Sequence, residues 1–179
     1  MKRITTLLFF ILLLSKADAQ NYLPVDEGSS IKFTIKNFGF TVDGSFTGVK
    51  GNIRFDAANS SAASFTVSIN AGSVNTSNQS RDKHLRKEEY FDADKYPLIN
   101  FASTFISTTK PGMFLMHGKL TIKGITKEIS FPFTAVAQNN GYLFAGSFKI
   151  NRRDFTVGGS SMVLADNLEL SLSVFAKKN

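Results

Sequence analysis

The sequence predicts an all-β domain, a closed antiparallel β-barrel of about eight strands with one or two short helices laid over an opening. Three observations carry this reading. Apolar and polar residues alternate with period two in one segment after another. Short turns built from Gly, Pro and Asn separate those segments. One stretch, Ser80–Tyr96, breaks the alternation, and it is charged and free of β-branched residues.

The chain starts Met1-Lys2-Arg3, runs apolar from Leu7 to Leu14 and then reaches Ala17-Asp18-Ala19. A basic start, a short apolar run and small residues around one position form the pattern of a cleaved secretory signal. Residues 1–19 are therefore expected to be removed, leaving one domain over 20–179. The apolar run is too short to span a bilayer. With no Cys in the chain, there is no acceptor for a lipid anchor, no thiol nucleophile and no thiolate metal site. Export of this kind predicts a periplasmic or secreted bacterial protein. Losing Lys2, Arg3, Lys16 and Asp18 would take the formal charge from +7 to +5. The cations are scattered singly along the strands. That distribution argues against nucleic acid, which needs a concentrated basic patch, and leaves weak attraction to an anionic membrane surface as an expectation.

Strands are expected at 30–38, 44–56, 63–71, 98–108, 112–123, 125–138, 142–151 and 167–177. Ile31, Phe33 and Ile35 alternate with Lys32, Thr34 and Lys36, and Phe65, Val67 and Ile69 with Ser64, Thr66 and Ser68. Phe114, Met116, Leu120 and Ile122 share one parity; His117, Lys119 and Thr121 share the other. Phe131 and Phe133, Phe144 and Phe148, and Leu168, Leu170 and Leu172 extend the same pattern. Each pattern gives a strand with one buried and one wet face. Lys110-Pro111-Gly112, Lys123-Gly124 and Asn139-Asn140-Gly141 read as hairpin turns. Gly44, Gly48 and Gly51 suit bends or bulges in a barrel wall. Residues 152–167 read as a long loop.

Successive amphipathic strands favour closure, because a closed barrel has no unpaired edge. Eight strands leave an interior that side chains can fill or that can hold one ligand. Of the 18 Phe, only Phe9 and Phe10 fall in the leader, and most of the others lie on the inward parity. A filled aromatic core and an aromatic-lined cavity are both open on this evidence. The expected wall is Phe33, Ile35, Phe65, Val67, Phe101, Phe114, Met116, Phe131, Phe133, Phe144, Phe148, Leu170 and Leu172.

Four segments together resemble the YceI-like family of exported, lipocalin-like, polyisoprenoid-binding proteins. They are Ser30–Phe33 with Gly44–Asp56; Arg81-Asp82-Lys83-His84-Leu85 with Tyr90–Phe101; Gly118–Lys127; and Phe148–Phe155. The resemblance spans nearly the whole mature chain. It implies an eight-stranded antiparallel lipocalin-like barrel that holds an isoprenoid, isoprenoid quinone or fatty-acyl chain, with no cofactor, and it suggests a homodimer. The function it implies is binding for transport, storage or stress protection rather than catalysis. An enzyme modifying such a lipid, with His84 as its acid–base group, and a fully packed structural protein are the alternatives.

Arg81, Asp82 and His84 are the polar residues expected at a ligand head group, with Tyr96 and Arg153 as weaker candidates. Arg presents a fork suited to phosphate or carboxylate, and His exchanges protons near neutral pH. A structural role, holding the short helix in place, is the competing reading. His117 sits on the outward parity of its strand. Neither His has companions at zinc-ligand spacing, and Asp92 and Asp94 lack the rest of a calcium loop. No hydrolase, metalloprotease or phosphate-loop motif occurs.

Overall fold

A computed structural model describes residues 20–179; the signal peptide expected over residues 1–19 lies outside the described residues. The strands are β1 (Gln20–Asn37), β2 (Phe40–Phe46), β3 (Lys50–Phe55), β4 (Ser64–Asn70), β5 (Leu98–Lys110), β6 (Met113–Ile122), β7 (Ile125–Gln138), β8 (Gly141–Asn151) and β9 (Leu164–Lys178). All pair antiparallel, and β1 also pairs with β9, closing the sheet. β2 and β3 are successive halves of one barrel position, since both pair with β1. The barrel is therefore eight-stranded in cross-section, as the alternation requires.

Two boundaries differ from expectation. The first strand starts at Gln20, not 30, because Pro24 and Gly28 do not end it. It passes through a bulge between Val25 and Ser30, where Gly28 takes φ 77°. The second expected strand starts at Phe40 and breaks at residues 47–49. The turn before it is Phe38-Gly39, with φ 50° and 77°. Positive φ at both central residues is the type I′ hairpin geometry. A side chain there costs about 1–2 kcal/mol relative to glycine, which is why the turn is hard to read from Phe38.

The bulge in β1 and the break between β2 and β3 lie side by side. The Asp26 carboxylate ties them, accepting from the backbone N–H of Gly48 and Val49 at 2.9 Å each. At this corner β1 changes partner from β3 to β2.

The interior divides into two clusters. Tyr22, Phe55, Phe65, Phe114, Phe133 and Phe144 pack at the end where the described residues begin, at Gln20, and where β9 finishes. Phe55, 1% exposed, is their hub, edge-on to Phe114, Tyr142 and Phe144 at 5.1–5.3 Å between ring centres. This end is plugged. At the other end lie the 38–39 turn, residues 71–97, the 123–124 turn and residues 152–163. Helix α1 (Gln79–Leu85) starts at Asn78, whose side chain accepts from Arg81 N, and lies over this opening. The expected loop over 152–167 is shorter than predicted. Arg152–Phe155 forms a 3-10 turn and β9 already begins at Leu164.

Two outcomes are expected for the corner and the plug. Asp26→Ala leaves two backbone N–H donors, of Gly48 and Val49, without their charge-assisted acceptor on an exposed carboxylate and should lower stability by about 1–2 kcal/mol in urea unfolding. Tyr22 titrates above the usual tyrosine range, first because it is buried and then because Tyr142 and Asp56 disfavour its phenolate. The folded state then holds this proton more tightly than the unfolded chain. Stability is full below the ordinary tyrosine value of about 10 and falls as pH rises past it. Tyr22→Phe should flatten that alkaline loss in a series of melting curves.

Candidate functional site

Between the aromatic plug and α1 the barrel encloses a cavity of ≈ 240 Å³. Its floor is Phe65, Phe133 and Phe144, and its wall runs up β1, β8 and β9 through Phe33, Ile35, Phe148, Leu168, Leu170 and Leu172. Several of these wall residues point inward yet are only half-buried. That combination decides between the two open readings: the plugged half is a packed core and the capped half is a cavity. The alternation fixes which residues point inward. It does not say whether the opposite walls meet.

Of the thirteen expected wall residues, the cavity touches all but Phe114. Phe114 is a correction. It is 1% exposed and stacks on Phe133 at 5.2 Å in the plug. It lies at the start of β6, next to the turn at the plugged end, so the same parity puts it below the floor. Leu85, Tyr90 and Phe91, contributed by α1 and the turns after it, form the ceiling, with Phe91 edge-on to Phe46 at 5.4 Å.

The polar residues separate more sharply. Arg81 lines the cavity. Its Nε donates to Thr76 Oγ1 at 2.7 Å and its Nη2 to Thr76 O at 2.9 Å. Asp82 is buried behind it and accepts from Thr76 N at 2.8 Å and Thr76 Oγ1 at 2.6 Å. Arg81 and Asp82 thus meet through Thr76 rather than directly, and among the described residues Arg81 forms no ion pair. His84 is a correction. It faces Glu89 at 3.7 Å and Tyr90 at 5.0 Å and is not part of the lining. The α1 turn that aims Arg81 inward leaves His84, three residues on, half exposed. Tyr96 packs beside Gly124 and Lys95, and Arg153 is exposed near Asp166; neither reaches the cavity.

Sequence reasoning missed Arg152. It is 4% exposed, lines the cavity and donates five hydrogen bonds. Four go to backbone oxygens of Val157, Gly159, Leu164 and Ala165, and one to Asp166 Oδ1 at 2.8 Å. Such a cation folds the chain around itself. Its only signal in the sequence is a pair of Arg after a strand, of which the structure buries Arg152 and leaves Arg153 exposed. Ion pairing to Asp166 neutralises Arg152, so Arg81 is the cation left facing the cavity without a carboxylate partner.

The cap is fastened by backbone-directed donors. Arg86 Nε donates to Gly72 O at 2.7 Å and Nη2 to Val74 O at 3.1 Å. Lys123 bridges Glu88 O and Thr156 O, and Gly158 N donates to Glu89 O at 2.8 Å.

A YceI-like domain model matches residues 23–176. The chain belongs to this family. The UPF0312 protein YE1254 of Yersinia enterocolitica is 34% identical over 151 residues, covering 80% of this chain and 78% of that one. The crystal structure of a Campylobacter jejuni YceI protein superposes with a TM-score of 0.70 at 32% identity, covering 77% of this chain and 85% of that one. A polyisoprenoid-binding domain from Saccharophagus degradans, implicated in plant cell wall breakdown, superposes with a TM-score of 0.71 at 14% identity. It covers 90% of this YceI-like chain and 99% of its own, and at that identity it speaks to the fold.

Arg152→Met removes all five side-chain hydrogen bonds that this residue makes to residues 157–166. We expect a loss of about 2–4 kcal/mol and early proteolysis in that segment. Arg152→Lys, with three donors for five acceptors, should recover only part of the loss in the same melting assay.

Proposed function

We propose that this YceI-like protein is an exported carrier or store for one long apolar lipid, an isoprenoid, isoprenoid quinone or fatty-acyl chain. The tail lies in the cavity and the head group lies at Arg81. The observation that carries this reading is an apolar cavity of ≈ 240 Å³ with an unpaired arginine on its wall. A dry engineered cavity of about 150 Å³ takes up the six carbons of benzene, so ≈ 240 Å³ matches roughly ten carbons of a chain. Each buried methylene contributes about 0.8 kcal/mol, and roughly ten of them about 8 kcal/mol gross. Chain ordering and lost free motion offset much of this.

Binding is favoured over lipid modification by the same geometry. His84, the acid–base candidate, faces Glu89 outside the cavity. Among the polar groups that line it, Thr76, Arg81 and Arg152 are held by one another, by backbone or by Asp166. The polyisoprenoid-binding domain with this fold supports the ligand class, and the leader pattern at residues 1–19 supports export.

Native mass spectrometry of protein purified without detergent should reveal a bound lipid. Titration with fatty acids of graded length then tests the site. Leu170→Trp places an indole on the cavity wall and should shift preference towards shorter chains. Arg81→Ala should weaken an acidic lipid by roughly tenfold while leaving a bare hydrocarbon nearly unaffected, as expected for one charge-assisted contact. Absence of any bound chain at micromolar lipid, or binding whose length preference Leu170→Trp leaves unchanged, would refute the reading.

A further inference from the structure

We propose that the mouth of the cavity is a docking rim for a lipid bilayer, formed by the β1–β2 hairpin tip and the loop before β9. Phe38 and Phe40 are 69% and 75% exposed, Met162 is fully exposed, and Val163 lies beside them. Phe38 N donates to Val163 O at 2.9 Å, so two distant segments form one apolar patch. The patch continues the cavity. Asn37 and Val42 flank the tip, Leu164 follows Val163, and all three line the cavity and are partly exposed.

The tip is built against its own conformational preference. Phe38 sits in the left-handed region, where Asn or Gly is favoured in a type I′ turn. Its ring is mostly exposed, so the fold gains little packing in return. Strain at an exposed apolar residue beside a binding cavity points to a function outside the folded chain.

Size and charge select the partner. The four side chains present on the order of 500 Å² of apolar surface, the size of patch that is often functional on a monomer. A stable dimer needs about 800 Å² from each copy. Residues 36–42 and 155–165 contain no carboxylate; of the three at their borders, Asp43 accepts from Thr34 Oγ1, Asp166 pairs with Arg152 and Asp154 is exposed, while Lys36 is exposed at the base of the hairpin. Projecting apolar tips with a nearby cation suit the surface of a bilayer with anionic lipids.

This inference rests on the lipid-carrier reading and deepens it: a chain could pass between bilayer and cavity without crossing water. The test is flotation with vesicles of phosphatidylethanolamine and phosphatidylglycerol, at roughly three to one. A fluorescent anthroyloxy-palmitate delivered as monomer measures cavity binding separately. Wild type should float. F38S/F40S/M162S should show a loss of roughly tenfold or more in vesicle binding, with monomeric probe binding unchanged. F38N should raise the melting temperature yet weaken flotation, a split that a purely structural role for Phe38 would not produce. The proposal is overturned if wild type fails to float, or if the triple variant floats equally. It is overturned equally if wild type is a dimer in solution that the triple variant dissolves, which would assign the patch to a second copy. Tip-dependent flotation with no probe uptake by either protein would uphold docking and remove the carrier reading.

Discussion

The structure depends on one strand being paired along both edges. β1 meets β9 on one side and, on the other, β3 over its first turn of chain and β2 over its second half. Without that continuity the sheet would have two long open edges, which are an aggregation hazard as well as a loss of hydrogen bonds. A single strand can serve both partners only if it bends. The bend is the bulge at 26–29, and the Asp26 carboxylate holds it against the break at Gly48 and Val49. Gly48, at φ 79°, gives the opposite chain the turn it needs there.

Closure creates an interior, and the two ends then treat it differently. Towards the plugged end, Phe55 gathers rings from β4, β6 and β8 into edge-on contacts that leave no passage. Towards the cap, the walls are lined by Leu, Ile and Phe of the same parity, and several of them stay only half-buried. A folded protein ordinarily fills such space, because each missing neighbour forfeits dispersion contacts. Here the missing contacts are the cavity, and they are what a lipid tail would supply. The plug stabilises the barrel so that the other half can remain unfilled.

The cap works by a different kind of bond. Arg81 and Asp82 converge on Thr76, Arg86 reaches the carbonyls of Gly72 and Val74, and Arg152 gathers four carbonyls and Asp166. These donors satisfy irregular backbone that no strand can pair. They also place guanidinium groups at the edge of an apolar space. In Arg152 the charge is balanced by Asp166; in Arg81 it is left directed at the cavity. Fastening the lid and placing a cation beside the apolar space are thus done by neighbouring residues of one chemical type.

The inward parity of each strand is legible in the chain, because alternation has a period of two and a slip would reverse every side chain. So are the hairpins at Lys110-Pro111-Gly112 and Lys123-Gly124, the charged cap between Ser80 and Tyr96, and the family. The sequence could not set how far along the barrel axis each inward residue lies. Phe114 and Phe148 share an inward direction, yet one belongs to the plug and the other to the cavity wall, a distinction made by strand stagger alone. Nor could it choose between Arg152 and Arg153, adjacent and chemically identical, since only the fold of residues 156–166 buries one and leaves the other in water. The same holds for Arg81 and His84, separated by one helical turn whose orientation over the opening is a matter of packing. Direction is local and is written in the chain; depth and convergence are set by tertiary contacts between segments far apart in sequence.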